Sequence, residues 1–277
     1  MSNKLLKITA LQPNLKLNEF ENNLDSYNNL LNEYSGIIKE SQVLCLPEYW
    51  NGVRMDKYTT LILEASLDFL RDLAISNSLW VIGGSQIVQE EKSYSNRSHV
   101  FSPSGRLIGS YNKRHLFGYE RMQDITPGMD DLFWHIDDWK ATIKICSDLW
   151  NTHDYSLLIK EELDLIFSPI LTTIPDRLYT NYGRFMWHNL ALIRAKEAAA
   201  AVVVSDTAMQ PIRDPYWCTG ASCIADPSVR FVNAEPLGQG ILTSVPKGYS
   251  GIVTLTLNLE KIREQKQYRK EMGLLAS

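Results

Sequence analysis

In the stretch Ala141-Thr-Ile-Lys-Ile-Cys146-Ser-Asp148, an apolar, β-branched run ends at a cysteine and turns at once into polar residues. Such a run reads as a buried strand, and the change at Cys146 puts a thiol at that strand's carboxyl end. Similar runs recur along the chain. Val43-Leu-Cys-Leu46 is closed by Pro47, residues 165–168 form another, and Ala201-Val-Val-Val-Ser205 a third. Segments of helical periodicity lie between them. Phe20, Leu24, Leu31, Tyr34 and Ile38 follow Asn18-Glu-Phe-Glu21, which resembles a capping box. Further helices are expected over 61–76, 154–162 and about 181–200. Strands are expected over 5–11, 79–87 (with Gly83-Gly84 as a bulge), 240–245 and 252–257. Turn residues predict hairpins at Pro103-Ser-Gly105 and, between 222–225 and 229–232, at Asp226-Pro227-Ser228. Helices and buried strands alternate from end to end without a repeat or linker, which predicts one α/β domain over 1–277 with mixed sheets. Binding and catalytic groups in such sheets collect at strand carboxyl ends, so Cys146 is a candidate nucleophile.

Composition narrows the function. The chain has 277 residues, 44% hydrophobic and 22% charged, enough to bury a large core without staples. The net charge of −4 and the lack of a lysine-arginine block argue against a nucleic-acid or anionic-membrane surface. No amino-terminal apolar region marks a signal peptide, and no apolar run approaches the roughly 20 residues of a membrane span. The four cysteines (Cys45, Cys146, Cys218, Cys223) form no CxxC pair and show no metal spacing with histidine. A reduced, cytoplasmic protein that needs neither a metal nor an organic cofactor is expected.

Three segments each place a polar group just beyond an apolar run. They are Leu44-Cys-Leu-Pro-Glu48-Tyr-Trp, then Tyr111-Asn-Lys113-Arg-His115-Leu-Phe-Gly with Pro127-Gly128 downstream, and then Cys146-Ser-Asp148. In this order, and with Ile8-Thr-Ala-Leu-Gln-Pro13, Arg194-Ala-Lys-Glu-Ala198 and Gly220-Ala-Ser-Cys-Ile-Ala-Asp-Pro227 around them, the chain resembles the nitrilase superfamily of carbon–nitrogen hydrolases over nearly its whole length. The resemblance implies a Glu–Lys–Cys triad of Glu48, Lys113 and Cys146, and a second glutamate, Glu120, near the lysine and substrate. It also implies a four-layer α-β-β-α sandwich, a homodimer or higher homo-oligomer, and a carboxyl-terminal helix or arm over 259–277 at a subunit interface. His115 would pack beneath the lysine loop, and Trp150 and His153 would fall where the family lines its substrate pocket.

The chemistry of these residue types is consistent with that. A thiol with a free pKa of about 8.5 is a poor nucleophile until it loses its proton. Glu48 can take the proton and later activate water, the more readily if burial raises its pKa. Lys113 can stabilise a thiolate and then an oxyanion, with the Ser147 N–H as second donor. Attack on an amide would expel ammonia or an amine, leave a thioester, and end in hydrolysis to the acid. Tyr119, Trp150, Thr172, Tyr179 and Trp187 are candidate pocket residues. Cys45 lies inside a strand, and Cys218 and Cys223 have no base motif beside them. Asp148 is a candidate anchor for the turn after the nucleophile.

Two departures bear on substrate. Nitrilases follow the nucleophile with Trp and Glu, whereas this chain has Ser147 and Asp148, which favours a small-molecule amide or N-carbamoyl compound over a nitrile. The text Leu149-Trp-Asn-Thr-His-Asp154 replaces the Arg-Phe-Pro-Glu type of turn common in amidase branches, so no branch's substrate transfers. Acyl transfer from the thioester to an amine, and a catalytically silent scaffold of the same fold, stand as alternatives.

Overall fold

A computed structural model describes residues 4–151, 159–228 and 242–275. The first half of the chain runs β1 (Leu5–Gln12), α1 (Phe20–Glu33), α2 (Ser35–Glu40), β2 (Val43–Cys45), α3 (Thr60–Asn77), β3 (Trp80–Ile82), β4 (Gln86–Gln89), β5 (Tyr94–Phe101) and β6 (Leu107–Asn112). The second half supplies β7 (Phe133–Ile136), β8 (Trp139–Ile143), β9 (Leu165–Pro169), β10 (Thr173–Ile174), the long helix Thr180–Ala198, β11 (Ala201–Ser205), β12 (Pro211–Arg213), β13 (Tyr216–Cys218), β14 (Cys223–Ala225), β15 (Leu242–Ser244), β16 (Gly251–Asn258) and the helix Leu259–Glu271.

The strands build two large mixed sheets. One has the order β16-β1-β2-β3-β5-β4, with β6 also on β5; the other has the order β15-β14-β11-β9-β8-β7. Side-chain alternation decides how they stack. In the first sheet Leu6, Ile8, Ala10, Val43 and Cys45 point inward and join Ile143, Phe167 and Val202 of the second in a single core. The residues between them, Leu11, Leu44 and Leu46, point the other way and pack with Tyr27, Leu30, Leu70 and Leu73 of α1 and α3. On the far face of the second sheet, the helix Thr180–Ala198 buries Trp187, Ala191, Ala195 and Ala198. The result is helix, sheet, sheet, helix: a four-layer α-β-β-α sandwich.

Several local readings are refined. The helical stretch after Asn18 divides at Tyr34 into α1 and α2. Asn18 forms no cap; it takes a positive φ of 60°, and its Oδ1 accepts from the Arg54 N–H at 3.0 Å. The run 79–87 is two strands broken at Gly83-Gly84. Gly84 has a φ of +56°, and a Cβ there would lie 2.0 Å from the Pro47 carbonyl oxygen, so the break lets this chain pass against the loop that carries Glu48. The small sheet β10-β13-β12 had no sequence signal, because its strands are two or three residues long. Residues 229–232 of the expected second hairpin, and most of the expected helix 154–162 with His153, lie outside the described residues.

The carboxyl-terminal helix is capped by the last residue of β16: the Asn258 side chain accepts from the Lys261 N–H at 3.2 Å. The helix docks on the rest of its own chain, burying Leu259 and Ile262. Lys266 Nζ donates to the carbonyls of Glu162 and Leu163 at 2.9 and 2.7 Å.

Candidate active site

Glu48, Lys113 and Cys146 each follow the carboxyl end of a strand: β2, β6 and β8. Strands β2 and β3 are parallel, β5 is antiparallel to β3, and β6 is antiparallel to β5. Glu48 and Lys113 therefore leave the first sheet at the same edge. Cys146 comes from the second sheet, so the site spans the seam between the two.

Lys113 is buried and sits between two buried carboxylates. Its Nζ donates to Glu48 Oε1 at 2.8 Å and to Glu120 Oε2 at 2.7 Å, and each of the three side chains is only 2% exposed. Asn96 Nδ2 donates to Glu48 Oε1 and to Glu120 Oε1, both at 2.9 Å. Glu120 also accepts from the Tyr49 hydroxyl at 2.5 Å and from the Phe117 N–H at 2.9 Å. Glu48 Oε2 accepts from the Leu171 N–H at 2.9 Å, and the Glu48 N–H donates to the Ile170 carbonyl at 3.2 Å. Gly128 completes the lysine loop: its N–H donates to the Lys113 carbonyl at 2.8 Å, and a Cβ there would lie 2.2 Å from the Asn112 carbonyl oxygen.

The electrostatics separate the two carboxyls. Burial raises the Glu48 pKa, aided by the nearby Glu120 charge and only partly offset by Lys113. For Glu120 burial also acts upward, but Lys113, Tyr49 and the Phe117 N–H outweigh it and hold the group below its usual value. Burial works against the charge on Lys113, and the carboxylates of Glu48 and Glu120 reverse that, keeping the ammonium charged. Burial also pushes the Cys146 thiol well up, with Glu48 adding to the effect and Lys113 opposing it. Burial thus favours the neutral thiol and makes Glu48 a stronger base than a free carboxylate.

Cys146 is held by its turn. Its φ is +47°, a conformation that costs a non-glycine residue about 1–3 kcal/mol and persists only where the surroundings enforce it. Asp148, fully buried, does much of the enforcing. Its Oδ2 accepts from the Ile145 N–H at 3.0 Å and the Tyr111 hydroxyl at 2.8 Å. Its Oδ1 accepts from the N–H groups of Arg114 at 3.1 Å and His115 at 2.7 Å, and lies 3.0 Å from His115 Nδ1. One carboxylate thereby ties the lysine loop to the cysteine turn. Ser147 stands in the first turn of the short 3-10 segment Cys146–Trp150, where backbone N–H groups lack an intrahelical acceptor. Its hydroxyl donates to the His115 carbonyl.

The remaining sequence candidates surround this centre. Tyr119 packs against Tyr49 with ring centroids 6.5 Å apart and lines a cleft of about 300 Å³ with Arg54, Met55, Asp56, Ile87 and Gln123. Trp150 is half-exposed and meets Trp187 edge to face at 5.8 Å. Tyr179 is exposed, at the start of the long helix. Thr172 follows Leu171 on the loop that donates to Glu48; its hydroxyl is buried and has no hydrogen-bond partner among the described residues. Cys45, Cys218 and Cys223 are fully buried, and burial pushes each thiol up, as for inert core cysteines. Sequence reasoning missed Asn96 and Tyr49. Asn96 lies in mid-strand, and only the pairing of β5 with β6 brings it to Lys113, whose N–H donates to the Asn96 carbonyl at 2.8 Å.

A cysteine, a lysine and a glutamate thus follow the carboxyl ends of strands in the two sheets of this four-layer sandwich, with a second glutamate against the lysine. The carbon–nitrogen hydrolase family profile matches residues 7–267, and the chain belongs to that family. Among curated relatives, the hydrolase of the agr operon of Staphylococcus lugdunensis is 28% identical over 118 residues, 40% of this chain and 50% of that protein. The 2-oxoglutaramate amidase of Bacillus subtilis is 25% identical over 118 residues, 40% of this chain and 45% of the relative. The chain thus spans about half the length of these two. The match to the omega-amidase NIT2 of Xenopus tropicalis is longer, 25% identical over 217 residues and covering 71% of this chain and 75% of the relative. Among solved structures, Nit3 of Saccharomyces cerevisiae, a member of branch 10 of the nitrilase superfamily, superposes with a TM-score of 0.78 at 20% identity over 100% of this chain and 97% of its own. An amidase from Nesterenkonia sp. gives 0.73 at 14% identity over 97% and 96%.

Proposed function

We propose that this enzyme hydrolyses the C–N bond of a small-molecule amide or N-carbamoyl compound through a thioester on Cys146. The observation that carries the reading is the enclosure of Lys113 between the buried carboxyls of Glu48 and Glu120, at 2.8 and 2.7 Å, with the buried Cys146 just beyond the end of β8; burial favours its neutral thiol and raises Glu48. Glu48 takes the thiol proton as Sγ attacks the carbonyl carbon. The oxyanion is met by the Lys113 ammonium and the Ser147 N–H. The tetrahedral intermediate collapses, the C–N bond breaks, and the leaving amine or ammonia collects the proton from Glu48. Water then gives its proton to Glu48 and attacks the thioester, which releases the acid and restores the thiol. Glu120 stays ionised, holds Lys113, and lies beside the space the substrate enters.

The chemistry of similar proteins supports an amide over a nitrile. Two of the relatives are named as amidases. Tyr119, Trp150 and Thr172 shape the pocket in this reading. The protein acts in a reducing, cytoplasmic setting, as its four free cysteines suit. It self-associates as a homodimer or larger assembly, to which the exposed Leu178, Tyr182 and Phe185 contribute apolar surface. Among the described residues no helix is long and apolar enough to cross a membrane.

The test is ammonia release from a panel of amides, N-carbamoyl compounds and nitriles by the wild type and Cys146→Ala. Release from amides or carbamoyl compounds that vanishes in a folded Cys146→Ala protein is expected. Activity retained in that variant overturns the mechanism, and an added amine that diverts the acyl group replaces hydrolysis with transfer. Mass in solution checks self-association.

A further inference from the structure

Behind the candidate catalytic groups lies a further buried carboxylate, Asp206, at the carboxyl end of β11 and fully enclosed. Its Oδ1 accepts from the N–H groups of Thr172 at 3.1 Å and Thr207 at 2.9 Å. Its Oδ2 accepts from the Ala221 N–H at 2.8 Å and the Thr219 hydroxyl at 3.3 Å. The Asp206 N–H in turn donates to the Ser222 hydroxyl at 2.8 Å. Four donors converge on one carboxylate, and one of them belongs to the loop that touches Glu48.

That loop is short. The Ile170 N–H donates to the Ser205 carbonyl at 2.8 Å, the next N–H, of Leu171, donates to Glu48 Oε2 at 2.9 Å, and the next, of Thr172, to Asp206 Oδ1 at 3.1 Å. Three consecutive peptides are thus each fixed by a separate acceptor, the middle one by the candidate base. We propose that Asp206 is a positioning residue that holds the 170–172 loop so that the Leu171 N–H is presented to the second oxygen of Glu48. This rests on the reading of Glu48 as the base. A donor to a carboxylate stabilises its charged form and lowers its pKa, so a looser loop leaves Glu48 holding its proton to higher pH.

The charged and titratable neighbours are consistent with a specific role. Arg184 of the long helix senses the Asp206 charge, but its guanidinium is spent on the carbonyls of Gly220 at 3.0 Å and Val245 at 2.6 Å. Cys218 and Cys223 also face Asp206, and burial pushes both thiols up, so neither titrates with it near neutrality. The ionisable groups that face Glu48 are Lys113, Glu120 and Cys146, together with the phenols of Tyr49 and Tyr119, whose pKa values burial raises. Burial pushes the Asp206 carboxyl up to about 7 against the four donors. An asparagine at this position keeps the shape but offers one accepting atom, so it cannot satisfy both pairs of donors.

The experiment is the pH profile of Cys146 alkylation by iodoacetamide, with ammonia release measured alongside, in the wild type and Asp206→Asn. Expected is a melting curve that remains cooperative, an acidic limb of alkylation displaced to higher pH, and turnover about tenfold lower, equivalent to about 1.4 kcal/mol on the barrier. An Asp206→Asn protein that folds and keeps the limb where the wild type has it overturns the proposal. If that variant does not fold, Thr219→Val, which removes only the 3.3 Å hydroxyl donor, is read in the same way: a smaller displacement in the same direction supports the proposal, and none overturns it. A Cys146 thiol unreactive in the wild type overturns the hydrolase reading and this one together, whereas a reactive thiol with an unmoved limb overturns this one alone.

Discussion

Lys113 Nζ and Glu48 Oε1 lie 2.8 Å apart, and neither side chain exposes more than 2% of its surface. An ion pair so deeply enclosed has lost its water on both sides, so removing one partner leaves the other's charge uncompensated. Here the ammonium also faces Glu120 at 2.7 Å, and its loss strands two carboxylates. Lys113→Met is therefore expected to lose all turnover and to cost about 3–5 kcal/mol of stability. Lys113→Arg should not restore activity, because a planar guanidinium does not fit a space shaped for a point charge. Urea unfolding with ammonia release checks both, and a stable Lys113→Met protein counts against the enclosed pair.

Asn96 supplies the other shared donor. Its amide reaches Glu48 Oε1 and Glu120 Oε1, both at 2.9 Å, and favours the charged form of each. Asn96→Leu removes both contacts, so Glu48, already raised by burial, should hold its proton to still higher pH. The expected result is an acidic limb of kcat/KM displaced upward, with a stability loss of about 1–3 kcal/mol for each unsatisfied acceptor. An unmoved limb would show that Asn96 does not set the protonation of Glu48.

Asp148 joins the lysine loop to the cysteine turn through Tyr111, Arg114, His115 and Ile145. Asp148→Asn keeps the volume but reverses one accepting end into a donor, against N–H groups that cannot turn away. A loss of about 2–4 kcal/mol is expected, together with a fall in kcat as Cys146 and Lys113 lose their common support. Equal kcat in the folded variant would place the support elsewhere.

His99, on β5, is 5% exposed, and its Nδ1 has no partner among the described residues. Burial lowers its pKa to about 4, against about 6.5 in an unfolded chain. Between those values the unfolded state binds the extra proton, so stability rises with pH across this window and falls as the pH drops from about 6.5 towards about 4. The full effect is on the order of 3 kcal/mol. Unfolding of the wild type and His99→Gln at mildly alkaline, neutral and mildly acidic pH should show a flatter dependence in the variant; parallel curves would exclude His99 as the source.

Deleting the helix Leu259–Glu271 separates two uses of that segment. The helix buries Leu259 and Ile262 and anchors Lys266 on its own chain, so a chain ending at Asn258 should be less stable whatever its oligomeric state. Mass in solution then reports on subunit contact: an unchanged oligomer counts against an arm at the interface.

Much of this was written in local sequence. Runs such as Val43–Cys45 and Ala201–Ser205 are apolar on consecutive residues because both faces of their sheets are covered, and that alone marks buried strands of an α/β protein. The polar residue just beyond each run marked Glu48, Lys113 and Cys146, since a strand's end is where a side chain can escape the core. What the sequence could not supply was distance. Asn96 sits in a strand whose neighbours depend on the β5–β6 pairing, Asp206 meets Thr172 from 34 residues away, and the two sheets face each other only because Leu6, Ile8 and Ala10 alternate toward Ile143 and Phe167. Residue type and order therefore determined which groups could do the chemistry. Only tertiary packing decided which of two similar glutamates is held protonatable and which ionised, because pKa depends on burial and on partners that arrive from elsewhere in the chain.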